Sequence, residues 1–206
     1  MEKKIITISR QFGSGGRKIG KKLSELLDVP YYDNEIISRA AKDSGFAEAA
    51  FENAEKKATN SFLYSIAMGL NTFGVQDIGF TGLSIDDRIF LAQSKIIRQV
   101  ADEGPCVIVG RCSDYVLRDR KDVVNIFICA SLDFRIERAV DEYGIQRGKA
   151  AETILKNDKR RANYYNYHSD EKWGNVNNYH LSLRSDFGGI EHTAKIIYSF
   201  LTVSDD

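Results

Sequence analysis

The sequence predicts an α/β fold in which a mostly parallel, five-stranded sheet is flanked by helices. Short apolar runs rich in valine and isoleucine alternate along the chain with longer segments whose apolar residues recur at helical spacing. Strands that alternate with helices in this way are typical of a parallel sheet. Glycine, aspartate and arginine follow several of the apolar runs. Because ligands of such sheets bind at the carboxyl ends of the strands, these residues are candidates for a site.

The strands are predicted from continuous apolar runs, which are typical of strands that are buried on both faces. The run at residues 106–109 is expected to be a central parallel strand, that is, one with a neighbour on each side. In chain order, the predicted strands are residues 5–8, 29–33, 106–109, 123–129 and 179–183.

The helices are predicted from apolar residues that share one face. In the first helix, Gly20 is expected to let helix and sheet approach closely. Asp86 or Asp87 is expected to cap the helix that ends at Glu103. In chain order, the predicted helices are residues 18–27, 34–42, 47–59, 62–68, 86–103, 132–143, 150–165 and 191–201, and residues 71–83 are predicted to form a glycine-rich loop.

Composition excludes several classes of protein. The 206 residues, 43% hydrophobic and 28% charged, predict one globular domain, residues 1–206. The net charge of zero gives no general attraction to nucleic acid or to an anionic membrane. We find no membrane-spanning run and no signal-peptide pattern. Cys106, Cys112 and Cys129 lack metal-site spacing, so we expect reduced thiols in a cytoplasmic protein.

A glycine-rich, basic turn connects the first strand to the first helix. We call residues 10–18 the glycine loop. Backbone N–H groups of such a turn, together with a helix N-terminus, form a phosphate site. The loop carries three cations near the helix N-terminus, which is unfavourable unless an anion binds there. Its candidate ligands are Arg10, Gly13, Ser14, Gly15, Gly16, Arg17 and Lys18.

The glycine loop departs from the phosphate-loop pattern G-x-x-x-x-G-K-[ST]. When Gly15 is aligned with the second glycine, Arg10 stands at the first glycine position. Gly16 then stands at the lysine position and Arg17 at the hydroxyl position. The loop is therefore predicted to bind phosphate. Its catalytic competence depends on whether Arg10, Arg17 or Lys18 replaces the lysine.

Charged residues at other strand ends have two interpretations each. Gly110 and Arg111 close the central strand, where the arginine is predicted either to pair with Asp33 or Asp114 or to clamp a phosphate. Asp33 also lies where a dinucleotide fold places its ribose-binding acid. Arg39, on the following helix, is typical of a solvated helix residue unless its context makes it a ligand.

The segment from residue 158 to residue 179 is charged and then aromatic. Asp158, Arg160 and Arg161 belong to a charge run that is typical of a solvated helix face. The polar, tyrosine-rich stretch that follows is predicted to close over a nucleotide as a lid or to contact a partner. His168 has no companion at a recognisable spacing, so we expect no catalytic role for it.

Together these motifs resemble the nucleoside monophosphate kinases, and specifically the cytidylate kinase-like family. Residues 32–40 match the family's L-D-T-G-A-M-Y-R-A segment at Asp33, Arg39 and Ala40. Gly110 and Arg111 match its G-R-D-x-G-T segment, with Cys112 in place of the acid. Residues 126–131 precede an arginine-rich helix, and the run at 158–161 approximates the lid motif. The resemblance extends from about residue 4 to residue 201.

The resemblance implies a three-layer fold of the P-loop NTPase type, with a helical monophosphate-binding insertion at about 35–104 and a lid at about 144–176. It implies that the acceptor binds at Asp33, Arg39, Gly110 and Arg111. Donor phosphates would bind at Arg10, Gly13, Ser14, Gly15 and Gly16. Catalytic charge would come from Arg17, Lys18, Arg160 and Arg161. ATP and Mg²⁺ are the expected cofactors, without identified metal ligands, and the partners are small nucleotides.

The predicted function is transfer of the γ-phosphate of ATP to a small acceptor, by default a nucleoside monophosphate such as CMP. Phosphoryl transfer needs in-line positioning and charge neutralisation, and the missing lysine bears directly on both. A non-catalytic protein that binds nucleotide or phosphate for regulation is the alternative. A nicotinamide-dinucleotide protein is the third hypothesis.

Overall fold

The computed structural model describes residues 4–51 and 84–203. In these residues five parallel strands form one sheet in the order β2-β3-β1-β4-β5. The prediction of an α/β fold with a parallel five-stranded sheet is therefore confirmed. The predicted helix at residues 62–68, the loop at 71–83 and most of the helix at 47–59 lie outside the described residues.

All five predicted strands and the predicted helices at 18–27, 34–42, 86–103, 132–143, 150–165 and 191–201 have counterparts in the described residues, most with shifted ends. The short helix at Ser113–Val116 was not predicted. The strands are β1 (Ile5–Arg10), β2 (Tyr31–Tyr32), β3 (Val107–Val109), β4 (Val123–Cys129) and β5 (Leu181–Arg184). The helices are α1 (Gly16–Leu27), α2 (Asn34–Ser44), α3 (Ile85–Glu103), α4 (Ser113–Val116), α5 (Leu132–Asp141), α6 (Arg147–His168) and α7 (Gly189–Thr202).

Strand β1 occupies the centre of the sheet. It pairs with β3 on one side and with β4 on the other, and all six of its residues are buried. The glycine loop that follows β1 therefore lies in the middle of the carboxyl edge of the sheet. In a dinucleotide fold β1 is instead adjacent to β2, in the order 3-2-1-4-5-6. The observed strand order thus counts against the nicotinamide-dinucleotide hypothesis.

Helix α1 packs closely on the sheet at Gly20. A Cβ added there would lie 3.0 Å from Val109 Cγ2 and 3.1 Å from Ile8 Cδ1. The predicted close approach is therefore confirmed. It holds the start of α1 against β1 and β3, the two strands that carry the loop and the Gly110 turn.

The sheet has a separate core on each face, so the domain has three layers. One core lies between the sheet and helices α2 and α3, and includes Ile36 and Ile97. The other lies beneath α1 and α7, and includes Leu23 and Ile197. Burial of side chains of this size supplies about 1.5–3 kcal/mol each.

One predicted cap is wrong. Ser84, and neither Asp86 nor Asp87, caps α3, because the Ser84 hydroxyl accepts the Asp87 N–H. A serine oxygen at this position satisfies an N–H group that the helix leaves without a partner.

Cys106, Cys112 and Cys129 all lie in the described residues, and none of them forms a disulfide there. Cys106 and Cys112 are buried, whereas Cys129 is half-buried. Burial raises the pKa of the Cys106 thiol to about 12. Among the described residues, no helix combines the length and apolar character needed to cross a membrane.

Candidate active site

The glycine loop has the backbone geometry of an anion site. Gly13 and Gly15 adopt left-handed conformations with φ of 80° and 79°, which glycine adopts without steric cost. The Ser14 hydroxyl donates to the Gln11 carbonyl at 2.9 Å and so closes the turn. Helix α1 starts immediately afterwards, at Gly16. Its first N–H groups therefore lie at the end of the loop, where an anion is favoured.

Arg10 fills the space of the missing lysine. A Cβ added to Gly16, which stands at the lysine position, would lie 2.6 Å from Arg10 Cβ. The Arg10 side chain then runs across the end of the sheet, where a Cβ added to Gly110 would overlap its Nη1. Gly16 and Gly110 thus leave room for one buried arginine, which is 7% exposed. Of the three candidate cations, Arg10 is the one whose side chain occupies the space beside Gly16, the lysine position.

The turn after β3 is strained. Gly110, Arg111 and Cys112 all have positive φ, at 76°, 62° and 54°. For residues other than glycine this region is unfavourable, and such strain is concentrated at functional sites. The turn carries the buried Arg111 next to Arg10. The structure therefore brings the two arginines that follow the neighbouring strands β1 and β3 together.

Arg161 belongs to this site, whereas Arg160 faces elsewhere. Arg161 Nη1 donates to the Arg10 carbonyl at 2.9 Å, and its guanidinium lies 5.7 Å from the centre of the Phe12 ring. Arg160 instead lines a surface groove with Lys149 and Lys156. The two arginines are adjacent on one helix, so their side chains cannot share a face.

Three arginines converge on one small cavity at the carboxyl edge of the sheet. Arg10, Arg111 and Arg161 line it from three different parts of the fold, together with aromatic side chains. We call this the arginine cavity. Its volume of about 20 Å³ is on the order of one water molecule. Its other lining residues are Ser9, Gly110, Cys112, Tyr164, Tyr165 and Trp173.

A nearly buried ion pair holds the glycine loop from outside. Arg135 of α5 and Asp158 of α6 approach to 2.5 Å, with side chains 7% and 13% exposed. The Phe12 N–H donates to Asp158 Oδ1 at 2.6 Å. The Cβ and the carbonyl oxygen of Arg135 also lie close to Gly13, each 3.0 Å from the position of an added Cβ, so a side chain there would be crowded. The conformation of the loop therefore depends on both helices.

Sequence reasoning did not select Arg135 or Arg138 as site residues. Arg138 lies within 3.2 Å of a Cβ added to Gly15, so both arginines border the loop. Their separation of three residues places them on one face of α5. Two arginines at this spacing, on a helix that directly follows β4, the neighbour of β1, are a sequence signal that points to them.

Two other loop cations point away from the arginine cavity. Lys18 Nζ lies 2.9 Å from Glu142 Oε2 and its side chain is 58% exposed. Arg17 Nε lies 2.5 Å from Asp33 Oδ2, and its Nη2 donates to Asn34 Oδ1 at 2.9 Å. Asp33, one of the partners considered for Arg111, is thus the partner of Arg17.

Arg39 lies apart from Arg111. Its guanidinium binds Glu35 Oε1 at 2.8 Å and Glu103 Oε1 at 3.4 Å, and lies 5.2 Å from the centre of the Tyr32 ring. Glu103 ends the helix that precedes β3, so these contacts lie toward the amino edge of the sheet. The structure does not bring the two predicted acceptor-binding arginines together.

Helix α6 is docked on α3 by aromatic contacts. The Tyr164 hydroxyl donates to Gln93 Oε1 at 3.0 Å, with both groups buried. His168 stacks on Phe90 with ring centres 4.1 Å apart. Burial lowers the pKa of His168 to about 4, so its ring is neutral at pH 7. Tyr164, Tyr165 and Trp173 of the predicted lid segment line the arginine cavity, and the contacts with α3 hold α6 beside it.

Magnesium fits this loop poorly. P-loop NTPases hold the metal with the loop serine or threonine and with an acid. Here the hydroxyl position holds Arg17, and the Ser14 hydroxyl bonds within the loop. No group of three metal-ligating side chains occurs among residues 4–51 and 84–203. The residues present do not fit a loop-held magnesium ion.

The buried carboxyl of Asp114 provides a test of pH dependence. Burial raises the pKa of Asp114, in α4, to about 6, above its unfolded value of about 3.8. The folded state therefore binds an extra proton between these values, and stability is lost as the pH rises through 6. We expect Asp114→Asn to be more stable than wild type at pH 7 by about 2–3 kcal/mol, with little difference at pH 3.

The measurement is urea unfolding at several pH values, with Asp43→Asn as the control. Asp43 is a half-exposed carboxylate paired with Lys95. The prediction would be contradicted if the free energies of unfolding of wild type and Asp114→Asn differed by the same amount at every pH from 3 to 7.

The fold and the loop together define the class of protein. The sheet is all-parallel with the order 2-3-1-4-5, and its central strand leads through a glycine loop directly into a helix. This arrangement is a P-loop NTPase-like fold of the kinase type. A sequence model of the cytidylate kinase-like family matches residues 5–186. The chain therefore belongs to the cytidylate kinase-like family.

Solved structures share this fold over nearly the whole chain. An uncharacterized protein from Eubacterium ventriosum is 25% identical, covering 97% of this chain and 98% of that chain, with a TM-score of 0.69. Shikimate kinase from Bacteroides thetaiotaomicron is 13% identical, with coverages of 97% and 99% and a TM-score of 0.56. Shikimate kinase from Acinetobacter baumannii is 11% identical, with coverages of 96% and 92% and a TM-score of 0.51. At such identities the two shikimate kinases are similar in fold alone. No curated protein matches the chain.

Proposed function

We propose that this protein is an ATP-dependent phosphotransferase that acts on a small acceptor, with nucleoside monophosphates, CMP first, as the acceptors to test. The observation that carries the proposal is the convergence of Arg10, Arg111 and Arg161 on one cavity beside the glycine loop. Guanidinium groups that reach one space from three parts of the fold suit the binding of phosphate oxygens, because each presents a planar fork of N–H donors. Membership of the cytidylate kinase-like family supports the same assignment.

Each arginine has a distinct part in the proposed reaction. Arg10 takes the role of the loop lysine at the β- and γ-phosphates, because it occupies that lysine's space. Arg111 binds the acceptor phosphate from the strained turn. Arg161 adds charge from α6 to the transferring phosphoryl group. The acceptor oxygen attacks the γ-phosphorus, the bond to the β-phosphate oxygen breaks, and the developing charge is spread over these guanidinium groups.

The donor and acceptor require the site to open. A cavity of about 20 Å³ is far smaller than the several hundred Å³ of a nucleotide-sized pocket. Helix α6 carries Arg161, Tyr164 and Tyr165 over the cavity. We therefore propose that α6 moves away to admit nucleotides and returns to exclude water during transfer.

The experiment is a coupled assay of ADP release, with ATP, Mg²⁺ and a panel of ribo- and deoxyribonucleoside monophosphates. We expect turnover with at least one of them and a large loss in Arg111→Ala. Arg120→Ala is the matched control, because Arg120 pairs with Asp122 at the opposite edge of the sheet. No turnover with any acceptor by a folded wild-type protein would refute the assignment of acceptor class.

A non-catalytic nucleotide binder is the second candidate. Gly16 has no room for the lysine, and this favours binding without efficient transfer. Calorimetry separates the two functions, since this candidate predicts ATP binding that depends on Arg10 without turnover on the panel. Phosphoryl transfer that is lost in Arg111→Ala would exclude it.

A further inference from the structure

The position that P-loop NTPases use for a magnesium-binding hydroxyl carries an arginine in this chain. Arg17 is the second residue of α1 and directly follows Gly16. Its side chain crosses to the end of β2, where Nε lies 2.5 Å from Asp33 Oδ2. In P-loop NTPases a metal is held between a hydroxyl at the start of the loop helix and an acid. Here the Arg17 guanidinium lies between the start of α1 and the acid Asp33.

Asp33 is the buried member of this ion pair, and neighbouring groups hold Arg17 against it. Asp33 is 7% exposed, and the Arg17 guanidinium also donates to Asn34 Oδ1 at 2.9 Å. The Tyr31 hydroxyl donates to the Arg17 carbonyl at 3.3 Å. Burial, and then the charge of Asp33, raises the pKa of Tyr31 to about 12, so its hydroxyl remains a donor. These contacts keep the guanidinium against the carboxylate.

A divalent ion at Asp33 would compete with this guanidinium for the carboxylate. Mg²⁺ needs oxygen ligands at about 2.0–2.1 Å in near-octahedral geometry. Oδ2 is already in contact with a guanidinium, whose like charge repels a metal at that distance. Ser14 carries the one hydroxyl of the glycine loop, and it donates to the Gln11 carbonyl and is fully buried.

We infer that this protein holds no divalent ion of its own, and that the Arg17 guanidinium, anchored by Asp33, replaces the loop-held metal. Magnesium would then reach the site only through the phosphates of a bound nucleotide. Asp33 keeps one further acceptor, because Oδ1 is buried without a hydrogen-bond partner among the described residues. If the arginine is removed, both oxygens of the Asp33 carboxylate are available to a metal. The ion pair could therefore be converted into a metal site by substitution of Arg17.

The test is Mn²⁺ binding to the nucleotide-free protein, followed by electron paramagnetic resonance. We expect no site in wild type and a new site in Arg17→Ser, which restores a hydroxyl beside Asp33. The double variant Arg17→Ser/Asp33→Asn should lose that site. Arg120→Ser is the matched control, since Arg120 also lies between two aspartates, Asp102 and Asp122. Thermal unfolding of each variant verifies that it is folded.

Three results would overturn the inference. The first is Mn²⁺ binding to the wild-type protein that is lost in Asp33→Asn. The others are a Mn²⁺ site in Arg120→Ser as strong as that in Arg17→Ser, and the absence of a Mn²⁺ site in a folded Arg17→Ser. A second arm measures the affinity for ATP with Mg²⁺ and with EDTA. We expect less than about a twofold change in wild type and at least about a tenfold Mg²⁺ dependence in Arg17→Ser.

The role of the guanidinium at phosphates rests on the proposed function, but the Mn²⁺ readout does not. If ATP fails to bind under any condition, the proposed function fails and the Mn²⁺ arm still decides whether the chain holds a metal. If ATP binds wild type only with Mg²⁺ and Mn²⁺ binds the free protein, the inference fails while the proposed function stands.

Discussion

Arg10→Met is expected to lower the rate of phosphoryl transfer by about 10³–10⁵, which is the range for removing one arginine from a transferring phosphoryl group. Arg10 lies in the lysine's space, with the glycines at 16 and 110 leaving room for it. Methionine keeps most of the side-chain volume, so the loss reports the missing charge. The measurement is kcat and KM for ATP in the coupled assay, with Arg120→Met as the control.

The neighbouring glycine supplies an independent version of this test. A Cβ at residue 16 would lie 2.6 Å from Arg10 Cβ, so Gly16→Ala is expected to displace the arginine and to lower kcat severely without removing any charge. Arg10→Lys should keep part of the activity, because a cation remains. A kcat for Arg10→Met within about tenfold of wild type would show that another residue does the lysine's work.

Asp158→Asn is expected to lower the free energy of unfolding by about 3–5 kcal/mol, the usual cost of leaving one member of a buried ion pair without its partner. Arg135 would keep its charge in a site where it is 6% exposed. The glycine loop would also lose the carboxylate that accepts the Phe12 N–H. We therefore expect weaker ATP binding together with the lower stability.

Urea unfolding and calorimetric titration with ATP measure the two effects. Glu137→Gln is the control, because it breaks the exposed ion pair between Glu137 and Arg147 on the same two helices, and we expect no measurable change. A loss in Asp158→Asn as small as in this control would mean that the Arg135–Asp158 pair is not an anchor of the loop.

The predicted elements failed mainly where structure depends on neighbours. Residues 29–33 were predicted as one strand, but only Tyr31–Tyr32 pairs with β3 at the edge of the sheet. Periodicity reports which residues are apolar, and it does not report where hydrogen bonding to the next strand stops. The central runs at β3 and β4 were predicted well because burial on both faces makes them continuously apolar.

The candidate site was predictable by position and only in part by contact. Gly110 and Arg111 were selected because they follow a central strand, and the structure places them beside the glycine loop. Arg160 and Arg161 were equivalent in the sequence, yet only Arg161 contacts the loop strand. The choice between adjacent residues depends on the rotation of α6, which is set by packing against α3 and α5.

Three features could be read from the residues alone: the α/β class, the succession of strands and helices, and a glycine loop with an arginine at the hydroxyl position. These are local properties, because they follow from hydrophobic period, glycine placement and motif spacing. Which loop cation lies beside Gly16, the lysine position, is visible in the three-dimensional structure and not in the sequence. Arg10, Arg17 and Lys18 are close together in the chain, but their side chains are directed by distant partners: Gly110 for Arg10, Asp33 for Arg17 and Glu142 for Lys18. Such long-range contacts depend on strand order, and this is why composition and spacing left the three candidates equal.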